Sequence, residues 1–245
     1  MINICFCSDI NLIKHIPIVI MSILNNNKDD LINIYYIHNI KDQTKIKELE
    51  NFIHKFSNLT FIHFYQEWKI EYKGMSHISS ATMLRLFIPK LINVSKIIYL
   101  DIDIIVNIDL NKLFNLETNY KGICMTNGII NKLLKNRLGN RKVGNAGIIL
   151  MDLDKLRTNN FFNKCLNIHR QIKSHDQDVI NCFCFGKYTS LDKKFNLFIN
   201  KDDPNNYTEY IYHFKGKHKP YNSNVGKYQY LWDENYKKYL ELIKI

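Results

Sequence analysis

The chain has 245 residues, of which 46% are hydrophobic, enough to bury the core of one large domain. With 34 Lys+Arg against 23 Asp+Glu, its formal net charge of +11 favours anionic partners, namely nucleotides, nucleic acid or an acidic membrane surface. No run approaches the roughly 18 apolar residues of a membrane span, and the first residues lack a basic targeting region, so we expect a cytoplasmic protein without a transmembrane segment.

Hydrophobic patterning predicts strands that alternate with helices along the chain. The predicted strands cover residues 2–7, 31–37, 59–64, a run ending at 101, 147–151 and 209–213. The predicted helices cover residues 16–24, 41–54, 82–91, 160–172, 176–183 and about 228–243. Such alternation is typical of an α/β fold with a mostly parallel sheet flanked by helices. Because no repeat or Pro/Gly-rich linker divides the chain, residues 1–245 are predicted to form a single domain.

Two carboxylates interrupt the apolar, β-branched run over residues 97–106. Asp101 and Asp103 stand two residues apart, and a central strand would not tolerate two unpaired charges there because of the desolvation cost. The strand is therefore expected to end here, with both acids at the carboxyl edge, where open α/β sheets bind ligands. Such a pair can hold a divalent cation, which in turn can hold a diphosphate. The alternative is a strand end whose acids meet only water or nearby lysines.

Other polar residues lie at strand and helix ends, and each admits a structural alternative. Asp9 follows the first strand, where it can accept a hydrogen bond from a base or sugar or cap the next helix. At Asn145-Ala146-Gly147 the backbone can approach a ligand closely or simply turn into a strand. Residues 175–178 open a helix, for which capping is the favoured interpretation. His213 closes a strand and either completes a manganese-type site with the two aspartates or is structural.

Two basic clusters contribute part of the positive charge, in the segments 132–142 and 215–219. They either attract an anionic ligand or form solvated loops enriched in lysine. Glycine-rich phosphate-binding motifs do not explain them. The sequence contains neither a G-x-x-x-x-G-K-[ST] loop nor a G-x-G-x-x-G motif after the first strand.

Taken together and in order, these motifs resemble family 8 glycosyltransferases, the group of glycogenin and bacterial lipopolysaccharide galactosyl- and glucosyltransferases. The resemblance runs nearly end to end, and each motif alone is weak. The residues that carry it are Phe6-Cys7-Ser8-Asp9-Ile10-Asn11, His77-Ile78-Ser79, Arg85-Leu86, Tyr99-Leu100-Asp101-Ile102-Asp103, Asn145-Ala146-Gly147, Asp176-Gln177-Asp178, Phe195-Asn196, His213-Phe214-Lys215-Gly216 and Lys219-Pro220.

The resemblance implies a GT-A fold and retaining transfer of a hexose, glucose or galactose, from a UDP-sugar. It also implies that Mn²⁺, or alternatively Mg²⁺, is held by Asp101, Asp103 and His213. The remaining residues at this end of the site are implied to bind the nucleotide: Asp9 and Asn11 the uracil, the Ile102 backbone the ribose region, and Gly216 and Lys219 the diphosphate.

At the sugar end, the resemblance implies that Arg85, Asn145 and Asp176 contact sugar hydroxyls, with Ala146 in the same donor-binding turn. Gln177 would lie beneath the anomeric carbon. Because a neutral amide is a poor nucleophile, front-face attack within an ion pair is preferred over a covalent glycosyl–enzyme. Asp176 is the candidate nucleophile if a covalent path operates.

Several points stay open on sequence alone. Leu12, Gly144 and Tyr221 depart from the aromatic residues common in the family, which leaves the donor sugar undecided. The acceptor is a glycan, a lipid-linked glycan or a protein. Segment 127–142 is expected beside the site, where its basic residues favour an anionic acceptor or close over UDP. Trp232, Tyr236 and Tyr239 form either a membrane-facing helix or one that packs on the domain.

Two alternative functions fit parts of the pattern. A metal-dependent nucleotidyltransferase would also pair carboxylates with a metal and a nucleotide, but would release pyrophosphate. A basic nucleic-acid-binding protein would explain the charge of +11 through phosphate contacts with a steep salt dependence. Because no nucleic-acid motif appears, nucleic acid is not the expected partner.

Overall fold

A computed structural model describes residues 1–69, 79–199, 208–214, 216, 219–222 and 225–244. Its strands in chain order are β1 (Ile2–Ser8), β2 (Ile32–His38), β3 (Leu59–Tyr65), β4 (Lys96–Leu100), β5 (Ile104–Val106), β6 (Ile123–Met125), β7 (Ile148–Asp152), β8 (Thr189–Ser190), β9 (Leu197–Phe198) and β10 (Ile211–His213). Its α-helices are α1 (Ile16–Asn26), α2 (Gln43–Ile53), α3 (Ile88–Leu91), α4 (Asn111–Phe114), α5 (Lys132–Leu138), α6 (Leu153–Thr158), α7 (Phe161–Ile172), α8 (Asp176–Cys184) and α9 (Gln229–Ile243).

Seven strands of the described chain form the main sheet, in the order β3-β2-β1-β4-β7-β6-β8. The β1–β2, β2–β3, β1–β4 and β6–β8 pairs are parallel, whereas β7 runs antiparallel to β4 and β6. Helices flank this sheet. The predicted α/β class with a mixed, mostly parallel sheet is therefore confirmed. The extent of the domain over residues 1–245 stays a prediction, since part of the chain lies outside the described residues.

Both faces of the sheet are buried, which explains why the central strands are continuously apolar. Successive side chains of β1 point to opposite faces. Ile4 and Phe6 enter one hydrophobic core, and Cys5 and Cys7 enter the other. The six cysteines carry no disulfide. The carboxyl ends of β1 and β4 are thereby held at one edge by packing on both sides.

A second, three-stranded sheet in the order β5-β10-β9 follows the acidic segment. β10 runs antiparallel to β5, with His213 opposite Ile104, and parallel to β9. β5 was not predicted, because residues 104–106 continue the apolar run of β4. The chain leaves the main sheet at the two aspartates and re-enters a strand in the smaller one.

Other differences from the predicted elements have local causes. The predicted helix at 41–54 begins at Gln43, because Asp42 caps it by accepting from the Thr44 N–H (2.9 Å). The predicted helix at 82–91 is a 3-10 helix, Ser80–Phe87, that passes into α3. Strand β6 and helices α5 and α6 were not predicted, since each is short.

The last helix packs on the domain through Trp232 and Tyr239, two of its four aromatic residues. Trp232 is buried beside His15 and Tyr221, and Tyr239 contacts Phe52 edge-on at 5.3 Å between centroids. The membrane-facing alternative is therefore wrong for these two side chains, while Tyr236 is exposed. Within the described ranges, no helix is both long and apolar enough to cross a bilayer.

Candidate functional site

A cleft of about 630 Å³ opens at the carboxyl ends of β1 and β4. Its wall also includes the start of α8, the end of β10 and described residues after β10, among them Gly216 and Lys219. Every residue predicted for the site lines this cleft: Asp9, Asn11, Arg85, Asp101, Ile102, Asp103, Asn145, Ala146, Asp176, Gln177, His213, Gly216 and Lys219. The fold thus brings together residues from positions 9 to 219.

Asp101, Asp103 and His213 form a cluster whose ligand atoms all lie within 4.8 Å of one another. His213 Nε2 lies 3.5 Å from Asp103 Oδ1 and 3.9 Å from Asp101 Oδ2. The pairing of β10 with β5 delivers the histidine, and the Phe214 N–H donates to the Asp103 carbonyl (3.0 Å). Two carboxylates and one imidazole are ligands that divalent cations take in proteins, and a cluster this tight fits one such ion.

Gly147 leaves room for His213 and Asp101 because it has no side chain. Its carbonyl accepts from the Asp101 N–H (2.8 Å), so its backbone lies directly against the cluster. A Cβ added here would lie 2.3 Å from His213 Cε1 and 3.0 Å from Asp101 Oδ2. The close backbone approach expected from the Asn-Ala-Gly turn therefore serves His213 and Asp101.

Arg85 connects the aspartate cluster to the start of α8. Its buried guanidinium lies 2.9 Å from Asp101 Oδ1 and 3.0 Å from Asp176 Oδ2, and it donates to the Ala146 carbonyl (2.5 Å). It also stacks over the Tyr99 ring at 4.2 Å. Burial opposes the charged form, but the two carboxylates raise the pKa of Arg85 above its ordinary value. Arg85 is thus a fixed cation between two acids.

The two aspartates of the cluster differ in their electrostatic surroundings. Burial raises the pKa of Asp101 above its ordinary value, although Arg85 beside it opposes the shift. Burial acts in the same direction on Asp103, but His213 and Lys219 outweigh it and hold the pKa of Asp103 well below its usual range. Lys219 makes a close ion pair with Asp103 and also donates to the Phe214 carbonyl (2.9 Å).

Gln177, at the start of α8, organises the part of the cleft next to the Asn145–Gly147 turn. Its Oε1 accepts from Asn145 Nδ2 (3.0 Å) and from the Ala146 N–H (3.1 Å). The Gln177 backbone carbonyl accepts from Asn181 Nδ2 (2.8 Å). The Asn181 side chain also accepts from the Gly144 N–H and donates to the Gly144 carbonyl. Gln177 is therefore held from two sides, with a neutral amide facing the cleft.

Capping of α8 is not the role of its first acidic residue. The N-cap is His175, which makes no side-chain capping bond, and Asp176 pairs with Arg85 instead. Asp178 is buried and accepts from Asn131 Nδ2 (2.8 Å) and Ser174 Oγ (2.5 Å). The capping interpretation of this segment is therefore wrong for Asp176.

At the end of β1, Asp9 turns the chain as it enters the cleft. Its Oδ1 accepts from the Asn11 N–H (3.0 Å) and its carbonyl from the Leu12 N–H (3.3 Å). Asp9 therefore stabilises a turn and lines the cleft at once. Nearby, Tyr221 stacks on His15 with centroids 4.0 Å apart.

Sequence reasoning gave no role to three residues that shape the site. Tyr99 donates to Asp101 Oδ1 (2.6 Å), Asn196 contacts His213 Nδ1 (2.8 Å), and Tyr221 lines the cleft. All three occur within or beside the motifs that carried the resemblance. Their partners could be found only from the three-dimensional contacts, because nothing in their spacing indicates which atoms they meet.

The basic segment 127–142 forms α5 and the turn after it. Arg141 stacks over Phe185 at 4.1 Å, Lys142 donates to the Tyr188 carbonyl (2.7 Å), and Asn127 bridges to Gly144, next to Asn145 of the cleft wall. No residue of this fully described segment itself lines the cleft. In the second basic cluster, Lys215 and Lys217 lie outside the described residues, as do His77 and Ile78 of the predicted motifs.

Fold and site together define a class, the GT-A transferases, with a candidate metal cluster at the carboxyl edge of the sheet. The chain belongs to glycosyl transferase family 8, whose sequence pattern it matches over residues 3–225. The resemblance inferred from the motifs is thereby confirmed. Neither of the alternative functions accounts for this match.

Two curated relatives match along most of this chain. A Haemophilus influenzae protein that carries a glycosyltransferase name is 30% identical over 210 residues, covering 80% of this chain and 63% of its own length. General stress protein A of Bacillus subtilis is 27% identical over 253 residues, covering 91% of this chain and 88% of its own length. The chain thus spans less than two thirds of the Haemophilus relative.

Among solved structures, the galactosyltransferase LgtC, in complex with donor and acceptor sugar analogs, has a TM-score of 0.81 to this chain. The two sequences are 20% identical, and the match covers 97% of this chain and 96% of LgtC. At this identity the likeness establishes the shared fold.

Proposed function

We propose that this protein is a Mn²⁺-dependent, retaining hexosyltransferase that moves glucose or galactose from a UDP-sugar to a hydroxyl acceptor. The observation that carries the proposal is the Asp101–Asp103–His213 cluster, which shares one cleft with Arg85 and Gln177. Membership of glycosyl transferase family 8 and the likeness to LgtC support it. Mg²⁺ is the alternative cation.

The cluster would hold the cation, and the cation when bound supplies Lewis-acid stabilisation of the leaving diphosphate. Lys219, which pairs with Asp103, is near enough to add a second positive charge on that diphosphate, with Gly216 beside it. Asp9 and Asn11 would meet the uracil, and the Ile102 backbone the ribose. The nucleotide is thus proposed to lie from β1 across the acidic segment.

At the other end of the cleft, Arg85, Asn145 and Asp176 would fix the hexose through its hydroxyls, with Ala146 in the same turn. Arg85 is already neutralised by two carboxylates, so it orients these groups rather than adding net charge. Gln177 would lie beneath the anomeric carbon, where its Oε1 can meet developing positive charge.

Cleavage of the anomeric C–O bond leaves negative charge on UDP and oxocarbenium character on the sugar. The amide of Gln177 is a poor nucleophile, so we favour attack by the acceptor hydroxyl on the face that UDP leaves. The departing diphosphate takes the hydroxyl proton. Asp176 remains the candidate nucleophile of a covalent path, but its ion pair with Arg85 reduces its nucleophilicity.

The acceptor is proposed to be a glycan, a lipid-linked glycan or a protein. Asn127 of segment 127–142 bridges to Gly144, the neighbour of the cleft residue Asn145, which supports a place for the segment on the acceptor's path. Its cations would favour an acceptor that bears negative charge.

The proposal is tested by incubating the protein with Mn²⁺ and a panel of UDP-sugars while UDP release is followed. Release from one UDP-sugar, abolished by EDTA and by Asp101→Asn or Asp103→Asn, is expected. Asp42→Asn is the matched control, because Asp42 only caps α2 on the surface. If no UDP-sugar turns over and calorimetry detects no Mn²⁺-dependent UDP binding, the proposal is wrong.

A further inference from the structure

A continuous chain of side-chain hydrogen bonds joins the metal cluster to the sugar end of the cleft. His213 Nδ1 lies 2.8 Å from Asn196 Oδ1, and Asn196 Nδ2 donates to Asn145 Oδ1 over 2.8 Å. Asn145 Nδ2 then donates to Gln177 Oε1 over 3.0 Å. Asn196 is 3% exposed, so water does not compete for these bonds.

Two backbone N–H groups determine which atoms donate and which accept in this series of hydrogen bonds. The Gly147 N–H donates to the Asn145 side chain (3.0 Å), and the Ala146 N–H donates to the Gln177 side chain (3.1 Å). Because a backbone N–H can only donate, the atoms it meets must be the amide oxygens of Asn145 and Gln177. The orientation of both amides is therefore set by the main chain.

The orientation of the Asn145 amide in turn determines that of Asn196. Since the Asn145 oxygen accepts, Asn196 must present its NH₂ group to Asn145 and its oxygen to His213. An amide oxygen can only accept, so His213 must carry its proton on Nδ1. With Nδ1 committed as a donor, Nε2 is the ring atom that faces the two aspartates and is left to become the metal ligand.

We propose that Asn196 is a positioning residue that fixes the tautomer of His213 and links it, through Asn145, to Gln177. The inference rests on the proposed function for its catalytic consequence, but the tautomer follows from the hydrogen bonds alone. Partners of this kind orient a metal-bound imidazole and raise its basicity. Here the Asn196 amide would orient His213 at the cation site and, through Asn145, Gln177 at the reacting carbon of the sugar.

The tautomer can be measured without metal or substrate. In the metal-free protein, ¹⁵N spectroscopy is expected to find a proton on Nδ1 of His213, hydrogen-bonded to Asn196. In Asn196→Leu this preference for Nδ1 should be lost. A wild-type spectrum in which Nδ1 carries no proton would overturn the proposal.

Two substitutions at Asn196 separate its bond to His213 from its bond to Asn145. Asn196→Leu removes both bonds and is expected to lower Mn²⁺ affinity by about 10–100-fold, measured by calorimetric titration with UDP present. Asn196→Asp can still accept from His213 but cannot donate to Asn145, so Mn²⁺ affinity should stay near wild type while kcat falls. Asn235→Leu is the control, since Asn235 is an equally buried amide on α9 that caps no site residue.

The outcomes also distinguish this inference from the proposed function. Unchanged Mn²⁺ affinity in Asn196→Leu, or equal losses in Asn235→Leu, contradicts a positioning role. A wild-type protein that binds Mn²⁺ and UDP but transfers no hexose contradicts the proposed function and leaves the tautomer result standing.

Discussion

At the scale of single residues, the site depends on how closely main chain and side chains approach. Gly147 has no Cβ where one would collide with His213 and Asp101. Arg85 is buried with contacts to Asp101, Asp176 and the Ala146 carbonyl. Removing one partner of such a buried ion pair typically costs about 3–5 kcal/mol, because the remaining charge is left unpaired. The acidic cluster therefore relies on neighbours that are not themselves cation ligands.

Gly147→Ala is predicted to have a larger effect on Mn²⁺ affinity than on the free energy of unfolding. The new methyl group would force the His213 ring away from the aspartates, and we expect Mn²⁺ affinity to fall by at least about tenfold. Titration calorimetry in the presence of UDP measures the change. Gly139→Ala is the control: Gly139 has a φ of 62° and no atoms within 4 Å of an added Cβ, so it should cost stability alone. Equal Mn²⁺ affinity in wild type and Gly147→Ala would contradict the prediction.

At the scale of elements, β2 and β3 are joined at their carboxyl ends by a histidine pair. The ring of His38 is fully buried, accepts from the Ile40 N–H (3.2 Å) and lies 3.2 Å from His63 Nδ1. Burial, with repulsion from His63, lowers the pKa of His38 from 6.5 to about 4. Its Nδ1 must stay unprotonated to accept, so β2 requires a neutral imidazole.

This lowered pKa predicts acid sensitivity. Between about pH 6.5 and pH 4 the folded protein binds fewer protons than the unfolded chain, so stability is complete above pH 6.5 and falls below it. At pH 5 the loss from this group is about 2 kcal/mol. His38→Asn keeps an acceptor for Ile40 and cannot titrate. Urea unfolding at pH 7.5 and pH 5 should show a smaller loss in the variant; equal losses would exclude His38 as the cause.

Long apolar elements were predictable from sequence, and short or displaced ones were not. The first four strands and α1, α7 and α8 lie within one or two residues of their predicted bounds, because apolar patterning alone specifies them. β5 was missed since no turn signal separates it from β4. Asp101 and Asp103 could be singled out because carboxylates that interrupt an apolar run demand explanation, whereas residues such as Arg85 and Gln177 were indicated only by the family resemblance. The links through Asn196 and Tyr99 arise from tertiary contacts that a local pattern does not encode.

At the scale of the whole molecule, the cleft gathers residues from Asp9 to Lys219, so a bound ligand should stabilise most of the chain. With Mn²⁺ and UDP at 100 times Kd, the expected gain is about 2.7 kcal/mol. For a chain of this size, that raises Tm by roughly 5–10 °C. Differential scanning calorimetry measures the shift, with UDP plus EDTA as control. An equal shift with EDTA would mean that UDP binding does not need the cation.

The pairing of β10 with β5 also sets an order of events during folding. His213 stands opposite Ile104, so the third member of the acidic cluster comes from a residue far along the chain. Contacts between such distant residues form late, because a long loop must close first. A nascent chain that has emerged only as far as α8 holds both aspartates without their histidine. A cation held by all three side chains would therefore be acquired only after β10 has paired with β5.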